Sequence, residues 1–562
     1  KKRYDNTCEF QRRRDFRFVI ADDLEIVSKL MFCRCRRLEL FHGPNVEQIT
    51  DGQAINQTTT TYEGVFSDTN ISNIHFPKLK RVTDYAFYNS KIQNIRKEDL
   101  KSCKYVGLCG FQKCQILELS MSMLVGVEAY GFAENLLLNV NLPQLANAGN
   151  FCFMGSQAFE FNFPSLIFGG CGVFSDCHEL SELKLGSNLP EKEKVQLGEG
   201  SISGCGDLNV ISCEAGKDVF VCKLNGTKNC QNYNKCPTCR NQLDLCFEIG
   251  TNLRKHPVEQ AQQTKSDILS KILETAELTK DQVDTAEDQQ VVNQVLILHG
   301  ERYSANSFKD RLDFRFVIAS NLDFISQKMF FRCGILELIH APNVKHAGSY
   351  CFMQTKLSRI HFPKLKKVSI CMFESTQIQN IDSGDLLSCL YANQHGFSSS
   401  KILKLNIPTL ICANSSSFLG NPLIEVNMPN LFYLGRSAFD NCQFIELFLP
   451  NLMFADELAF RNCTQLSELV LGKAKFGKNV FAQSKSLQAI CCESGPEAFS
   501  CDGTECKEEK CVICRGKLQQ CFVVGQNMRQ FYSIENQLAD QQIQGDGVVK
   551  LDEVYNLMKL IQ

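Results

Sequence analysis

Two blocks of six cysteines carry the densest chemistry in the sequence. The first is Cys213, Cys222, Cys230, Cys236, Cys239 and Cys246; the second is Cys492, Cys501, Cys506, Cys511, Cys514 and Cys521. Each holds one Cys-x-x-Cys, at Cys236/Cys239 and Cys511/Cys514, followed after six residues by Cys-Phe. Six thiols in a short polar segment form three disulfides in an oxidising compartment, where they stiffen a stretch too small for its own core. The rival chemistry is a zinc site built on the Cys-x-x-Cys. The even count, the polar loops and the lack of histidine within either block favour disulfides. Connectivity stays open, because six cysteines allow fifteen pairings.

Other chemistry-bearing residues are sparser. His42 and His75, and again His340 and His361, stand two residues before a proline or its equivalent. On neighbouring strands two such imidazoles have the donors for a transition metal. Their column continues as Asn141, Asn162, Asn406, Asn427 and Phe448, so the position accepts varied residues. Near the end of the chain, Gln542 to Glu553 resembles an EF-hand or dockerin-type loop. Its candidate calcium ligands are Gln542, Gln544, Asp546, Val548 (through its carbonyl) and Glu553, with Gly547 at the sharp turn. Gln542 and Gln544 stand where such loops carry Asp or Asn, which weakens the site. Sequons at Asn56, Asn70, Asn225, Asn414 and Asn462 are candidate N-glycan acceptors. No phosphate-binding glycine loop, Gly-x-Ser-x-Gly elbow or His-Glu-x-x-His occurs. The expectation is therefore a protein that is not an enzyme and requires no cofactor.

The elements that must position these groups show themselves as a ladder. Phenylalanine stands at 66, 87, 111, 132, 153 and 174, and again at 352, 373, 397, 418, 439, 460 and 481. The step is 21 residues, except for one of 24 in each series. Three residues after each Phe comes a small side chain, for example Asn421, Cys442, Cys463 and Ser484. A fixed step of this length is the mark of a solenoid, each of whose coils buries its core only against its neighbours. The small residues can hydrogen-bond a turning backbone, so the ladder cysteines Cys114, Cys177, Cys442 and Cys463 read as architecture rather than as nucleophiles. Before each proline lies an alternating stretch such as Phe159-Glu-Phe-Asn-Phe163 or Ile424-Glu-Val-Asn-Met428. Period two predicts one half-buried strand per coil, stacking in parallel into a ribbon.

The ladder is duplicated. Asp15-Phe-Arg-Phe-Val-Ile-Ala21 returns unchanged as Asp313 to Ala319, and His75-Phe-Pro-Lys-Leu-Lys80 as His361 to Lys366. The offsets differ by an insertion in the first copy, placed around Gln53 to Glu63. The stretch Ile424 to Cys442, Ile-x-Val-x-Met-Pro-x-Leu followed by Ala-Phe-x-x-Cys, resembles the BspA-type (Treponema pallidum-type) leucine-rich repeat. That resemblance spans most of residues 36–212 and 334–490. It implies a leucine-rich-repeat solenoid, and with the cysteine blocks and the helical spacing after them the expected fold is an α/β repeat solenoid with a parallel strand ribbon, Cys-rich caps and helical connectors. It also implies a secreted or cell-surface adhesion role.

The expected organisation is a first solenoid over 1–212, a Cys-rich cap over 213–250, and a helical linker over 251–312. A second solenoid over 313–490, a cap over 491–525 and a helical tail over 526–562 follow. The linker is expected to hold two helices, on the spacing of Ile268, Ile272 and Leu273 and then of Val291, Val292, Val295, Leu296 and Leu298. Charge is balanced, with 60 Lys+Arg against 62 Asp+Glu, which argues against a nucleic-acid partner. The basic run Lys1 to Arg14 reads as a solvated head. No apolar run is long enough to span a bilayer, and the start at Lys1, without Met or signal peptide, reads as a processed product or fragment. Partners are expected to be protein or glycan ligands outside the cell, or copies of the chain itself assembling head-to-tail into a filament or coat.

Overall fold

The structure, a computed structural model, describes residues 10–28, 30–49, 63–190, 193–221, 243–255, 267–506 and 511–526. It divides into two units, Lys1–Pro257 and Val258–Gln562, each with its own core. The inserted stretch, the basic residues 1–9, the calcium-loop candidates and Cys222, Cys230, Cys236 and Cys239 lie outside the described residues.

Most coils contribute two strands rather than the expected one; the coil carrying His361 forms none before Pro363. The strand before the proline is three or four residues long, as at Lys404–Asn406, Glu425–Asn427 and Glu446–Leu449. It pairs in parallel with its counterpart one coil away, with Leu405 opposite Val426. A second strand of two residues follows the turn, as at Cys412–Ala413, Tyr433–Leu434 and Phe454–Ala455. In each unit six of these build a second parallel ribbon. Two residues are too few to display a period, so this ribbon leaves no pattern in the sequence.

The Phe column lies between the ribbons and is fully buried from Phe66 to Phe174 and from Phe352 to Phe481. Rings in adjacent coils stack, with centroids 5.5 Å apart for Phe397/Phe418 and Phe418/Phe439. Both columns run further than the 21-residue step reveals. Phe10 and Phe32 precede Phe66, and Phe308 and Phe330 precede Phe352, at stacking distances of 5.4 to 5.5 Å. Two residues before and two after each Phe from Phe87 to Phe174 and from Phe308 to Phe481 the backbone turns left-handed, as at Ser437 and Asn441 around Phe439. This pair of αL residues, unfavourable outside Gly and Asn, folds the chain around the ring and aims it inward. At the head of the first coil, Arg13 lies over Phe10 and Phe16 and bonds Asp15. Arg311 repeats this over Phe308 and Phe314. Arg13 is therefore part of the first coil and not of a solvated head.

The ends of the solenoids depart most from the sequence expectation. Helix α1 (Leu243–Lys255) closes the first unit, and residues 518–526 are helical at the matching place in the second. Both helices cross the last coil at a glycine. A Cβ on Gly250 would sit 2.3 Å from the Ile211 carbonyl oxygen, and one on Gly525 2.2 Å from that of Ile490. Only glycine permits that approach. In the segment assigned two helices, Ile268–Thr275 (α2) and Lys280–Thr285 (α3) are helical, but 291–298 is not. Val291–Val292 and Val295–Ile297 form an antiparallel hairpin with Asn293 and Gln294 left-handed at its tip. The second strand of the hairpin pairs with Phe316–Ile318 and extends the solenoid sheet by one strand. The linker is thus the amino-terminal cap of the second solenoid.

Candidate functional site

The second cysteine block separates into four and two. The sulfurs of Cys501, Cys506, Cys511 and Cys514 all lie within 4.8 Å of one another, the one such thiol group among the described residues. Cys514 is 3.3 Å from Cys501 and 3.7 Å from Cys506, and Cys501 is 3.6 Å from Cys506. A disulfide bond is about 2.05 Å long, so in this geometry the four stand as thiols. Cys506 and Cys511 are buried, and the other two half-buried. Burial pushes Cys506 up, yet amide hydrogen bonds from Cys511 and Gln483 and the neighbouring thiols of Cys501 and Cys511 bring it down to about 7. Burial holds Cys511 up at about 11. Cys492 and Cys521 sit apart, donating to the carbonyls of Gly472 and Leu487. In the first block Cys246 donates to Leu208, the counterpart of Leu487, and Cys213 is buried.

The ladder cysteines do what the column of small residues does throughout. They donate to phenylalanine carbonyls: Cys114 to Phe87 at 3.1 Å, Cys177 to Phe153 at 3.3 Å, Cys442 to Phe418 at 3.5 Å and Cys463 to Phe439 at 3.1 Å. Burial pushes Cys114 and Cys463 up to about 12. A buried thiol in that state is not a nucleophile.

His42, His75 and His340 fall on the outward face of their strands, while His361 is buried and lies in no strand. His42 and His75 stack with ring centroids 6.1 Å apart, and each reaches a carboxylate, Asp22 and Asp99. His361 meets Asp385 at 3.4 Å. No third metal ligand joins either pair among the described residues. Of the sequons, Asn70 is exposed and Asn462 half-buried, while Asn56 and Asn225 lie outside the described residues. Asn414 is buried and its amide donates to Asn393 at 3.0 Å, so the folded coil has no room for a glycan there.

One surface was missed by sequence reasoning. In the second unit the outward side chains Phe316, Ile318 and Leu338 pack under Ile268, Ile272, Leu278 and Val283 of the cap. Phe316 and Ile318 are each 3% exposed. Their counterparts in the repeated Asp15 to Ala21 heptapeptide, Phe18 and Ile20, are 59% and 73% exposed. The strand Phe18–Ile20 pairs with Leu40–His42 on one side and is the edge of its sheet among the described residues. The signal was available in the sequence: an identical apolar strand, preceded in one copy by an amphipathic segment and in the other by a basic one.

A family model described as the BspA type leucine rich repeat region matches repeatedly, over residues 10–118, 58–180, 104–219, 302–421 and 391–500. Similar solved structures include a leucine-rich repeat protein from Bacteroides ovatus, at 16% identity over 73% of this chain and 82% of that one, TM-score 0.27. A leucine rich cell surface protein from Faecalibacterium prausnitzii matches at 12% identity over 67% and 84%, TM-score 0.23. The functional domain of InlJ from Listeria monocytogenes, which includes a cysteine ladder, matches at 12% over 72% and 67%, TM-score 0.16. No curated protein matches the chain. Among the described residues no helix is long and apolar enough to cross a membrane. With the family match covering both ladders, the chain belongs to the BspA type leucine rich repeat family.

Proposed function

We propose that the chain works without catalysis, as an extracellular or cell-surface protein that binds other proteins, with the Phe18/Ile20 edge of the first solenoid as a contact surface. The observation that carries this reading is the pair of unequal copies. The same strand is covered in the second unit and bare in the first. Two large apolar side chains beside a strand edge that is unpaired among the described residues make a docking template. The cover in the second unit defines the chemistry of the occupant: an amphipathic helix that lies on the face, plus a strand that pairs with the edge. Family membership supports a surface location and an adhesion role, with protein or glycan ligands.

The test is titration of a labelled peptide spanning residues 264–300 into the full chain, beside the double variant Phe18→Asp/Ile20→Asp. Saturable binding to the parent, lost in the variant, is the expected result. Absence of binding, or equal binding to both, would sink the reading. A second role, as a subunit of a filament or coat, would require the bare strand of one copy to take up the cap segment of another. A cap segment supplied by another copy would join chains head-to-tail, and a heterologous contact that does not close propagates. Sedimentation of the full chain at rising concentration distinguishes the two. Growth abolished by Phe18→Asp/Ile20→Asp supports assembly, and a monomer at every concentration refutes it.

A further inference from the structure

We propose that Cys501, Cys506, Cys511 and Cys514 together bind one Zn²⁺ ion through four thiolates and so close the carboxy-terminal end of the second solenoid. Zinc–sulfur bonds of ~2.3 Å in a tetrahedron put the sulfurs about 3.8 Å apart. The separations of 3.3, 3.6 and 3.7 Å, with all four sulfurs inside 4.8 Å, fit that tetrahedron. Disulfides would sort the same four into two exclusive pairs. Here Cys501, Cys506 and Cys514 each approach the other two, which is the pattern of a shared centre.

The spacing agrees. Four residues separate Cys501 from Cys506, four more separate Cys506 from Cys511, and two separate Cys511 from Cys514, within or next to the ligand spacings of structural zinc sites. Four soft sulfur donors select zinc over magnesium or calcium. All four positions are protein ligands, so the site is closed and structural rather than catalytic. Binding releases the thiol protons to solvent and moves no electrons.

The location gives the ion a task. Phe499 stacks on Phe481, the last ring of the ladder, at 5.3 Å, and Phe522 packs edge-on against Phe499 at 5.7 Å. Phe499 and Phe522 flank the four cysteines in sequence. A metal holding the loop between them keeps both rings on the end of the column, where no further coil among the described residues covers it. Cys492 and Cys521, bonded to carbonyls elsewhere, are left out of the site.

The experiment measures metals per chain in the full protein by plasma mass spectrometry, after expression with added zinc. Cys511→Ser/Cys514→Ser is expected to lower the zinc content by one per chain, whereas Cys492→Ser leaves it unchanged. The first block carries cysteines at the matching positions, so a Cys236→Ser/Cys239→Ser chain isolates the second. Loaded with Co²⁺ in place of zinc, that chain should show the intense visible bands of a tetrahedral tetrathiolate site, a readout independent of the Cys511/Cys514 variant folding. Iron instead of zinc, no metal in the zinc-replete protein, or peptide maps placing these four cysteines in disulfides would overturn the proposal.

Discussion

Replacing Asn421 by alanine tests what the column beside the phenylalanines does. Its amide nitrogen donates to the Phe397 carbonyl at 2.7 Å and to the Phe418 carbonyl at 3.0 Å. Its amide oxygen accepts from the Ile402 N–H at 3.2 Å. Asn421 is fully buried, so water cannot replace these bonds. A buried group stripped of its partner costs about 1 to 3 kcal/mol. Each carbonyl keeps one long amide contact, from Ser400 and from Asn421 itself at 3.4 Å, which holds the loss below the full sum. The expected cost is ~3 to 5 kcal/mol. Serine at this position should cost only ~1 to 2 kcal/mol, because Ser484 in the same column donates to Phe460 at 2.7 Å and accepts from Cys463 at 2.9 Å. Urea unfolding followed by circular dichroism reads both, with hydrogen exchange of peptides from 391–442 placing the loss in the second unit. With a slope of ~3 kcal/mol per M, the alanine variant should unfold ~1 to 1.7 M earlier. An alanine variant within ~0.3 M of the parent, or a serine variant as weak as alanine, would refute a hydrogen-bonding column.

Truncation of a stacked ring gives a second measure. Phe439→Ala should cost ~3 to 5 kcal/mol, and Phe448→Ala, on the outward face at 57% exposure, within ~0.5 kcal/mol; comparable losses in urea melts would contradict the burial pattern. Burial, then the nearby Lys366 charge, lowers His346 from 6.5 to about 4. Its folded pKa is below the unfolded one, so the unfolded chain binds the extra proton and stability falls as pH drops from about 6.5 towards 4. His346→Asn should flatten that part of the pH–melting curve, and an unchanged slope would exclude His346 as its source. Thiol labelling separates architecture from reactivity. Exposed Cys171 should alkylate in the native protein, while Cys114 and Cys463 should react only after denaturation. Native labelling of either ladder cysteine, detected by peptide mass spectrometry, would reopen a chemical role for it.

The ladder was legible because a solenoid repeats one local solution, and position after position then carries the same physical demand. The demand shows most clearly where a step is constant. Phe308, Phe330 and Phe352 step by 22 and the insertion separates Phe32 from Phe66, so the early rungs do not share the 21-residue step. The hairpin at 291–298 was misread because Val291, Val292, Val295 and Leu296 satisfy helical spacing as well as two short strands. Its Asn293-Gln294 tip lacks the glycine that marks such turns most strongly. The division of the second cysteine block into four and two depends on which loops approach, and spacing along the chain does not encode that. The turning backbone that the column bonds is mostly its carbonyls, those of the ladder phenylalanines, a preference the residue types alone do not encode.

The repeated heptapeptide shows how far a local pattern constrains its surroundings. In Asp-Phe-Arg-Phe-Val-Ile-Ala the second Phe and the Ile face one side of the strand and the Val and Ala the other. Such a strand is suited to burial on both faces. The second unit provides both: Val317 and Ala319 enter the solenoid core, while Phe316 and Ile318 enter the small cluster under α2 and α3. The first unit covers one face, so identical substitutions should have unequal effects. Phe316→Asp/Ile318→Asp would bury two charges beneath α2, at several kcal/mol, and the cheaper outcome is release of the cap. Hydrogen exchange should then quicken across 268–285 while the ladder from Phe352 onward stays protected. Phe18→Asp/Ile20→Asp should leave the melting of the first unit within ~0.5 kcal/mol of the parent, since both side chains already meet solvent. Equal losses in the two units would mean that the first strand is covered after all, and the bare edge would no longer support a docking site.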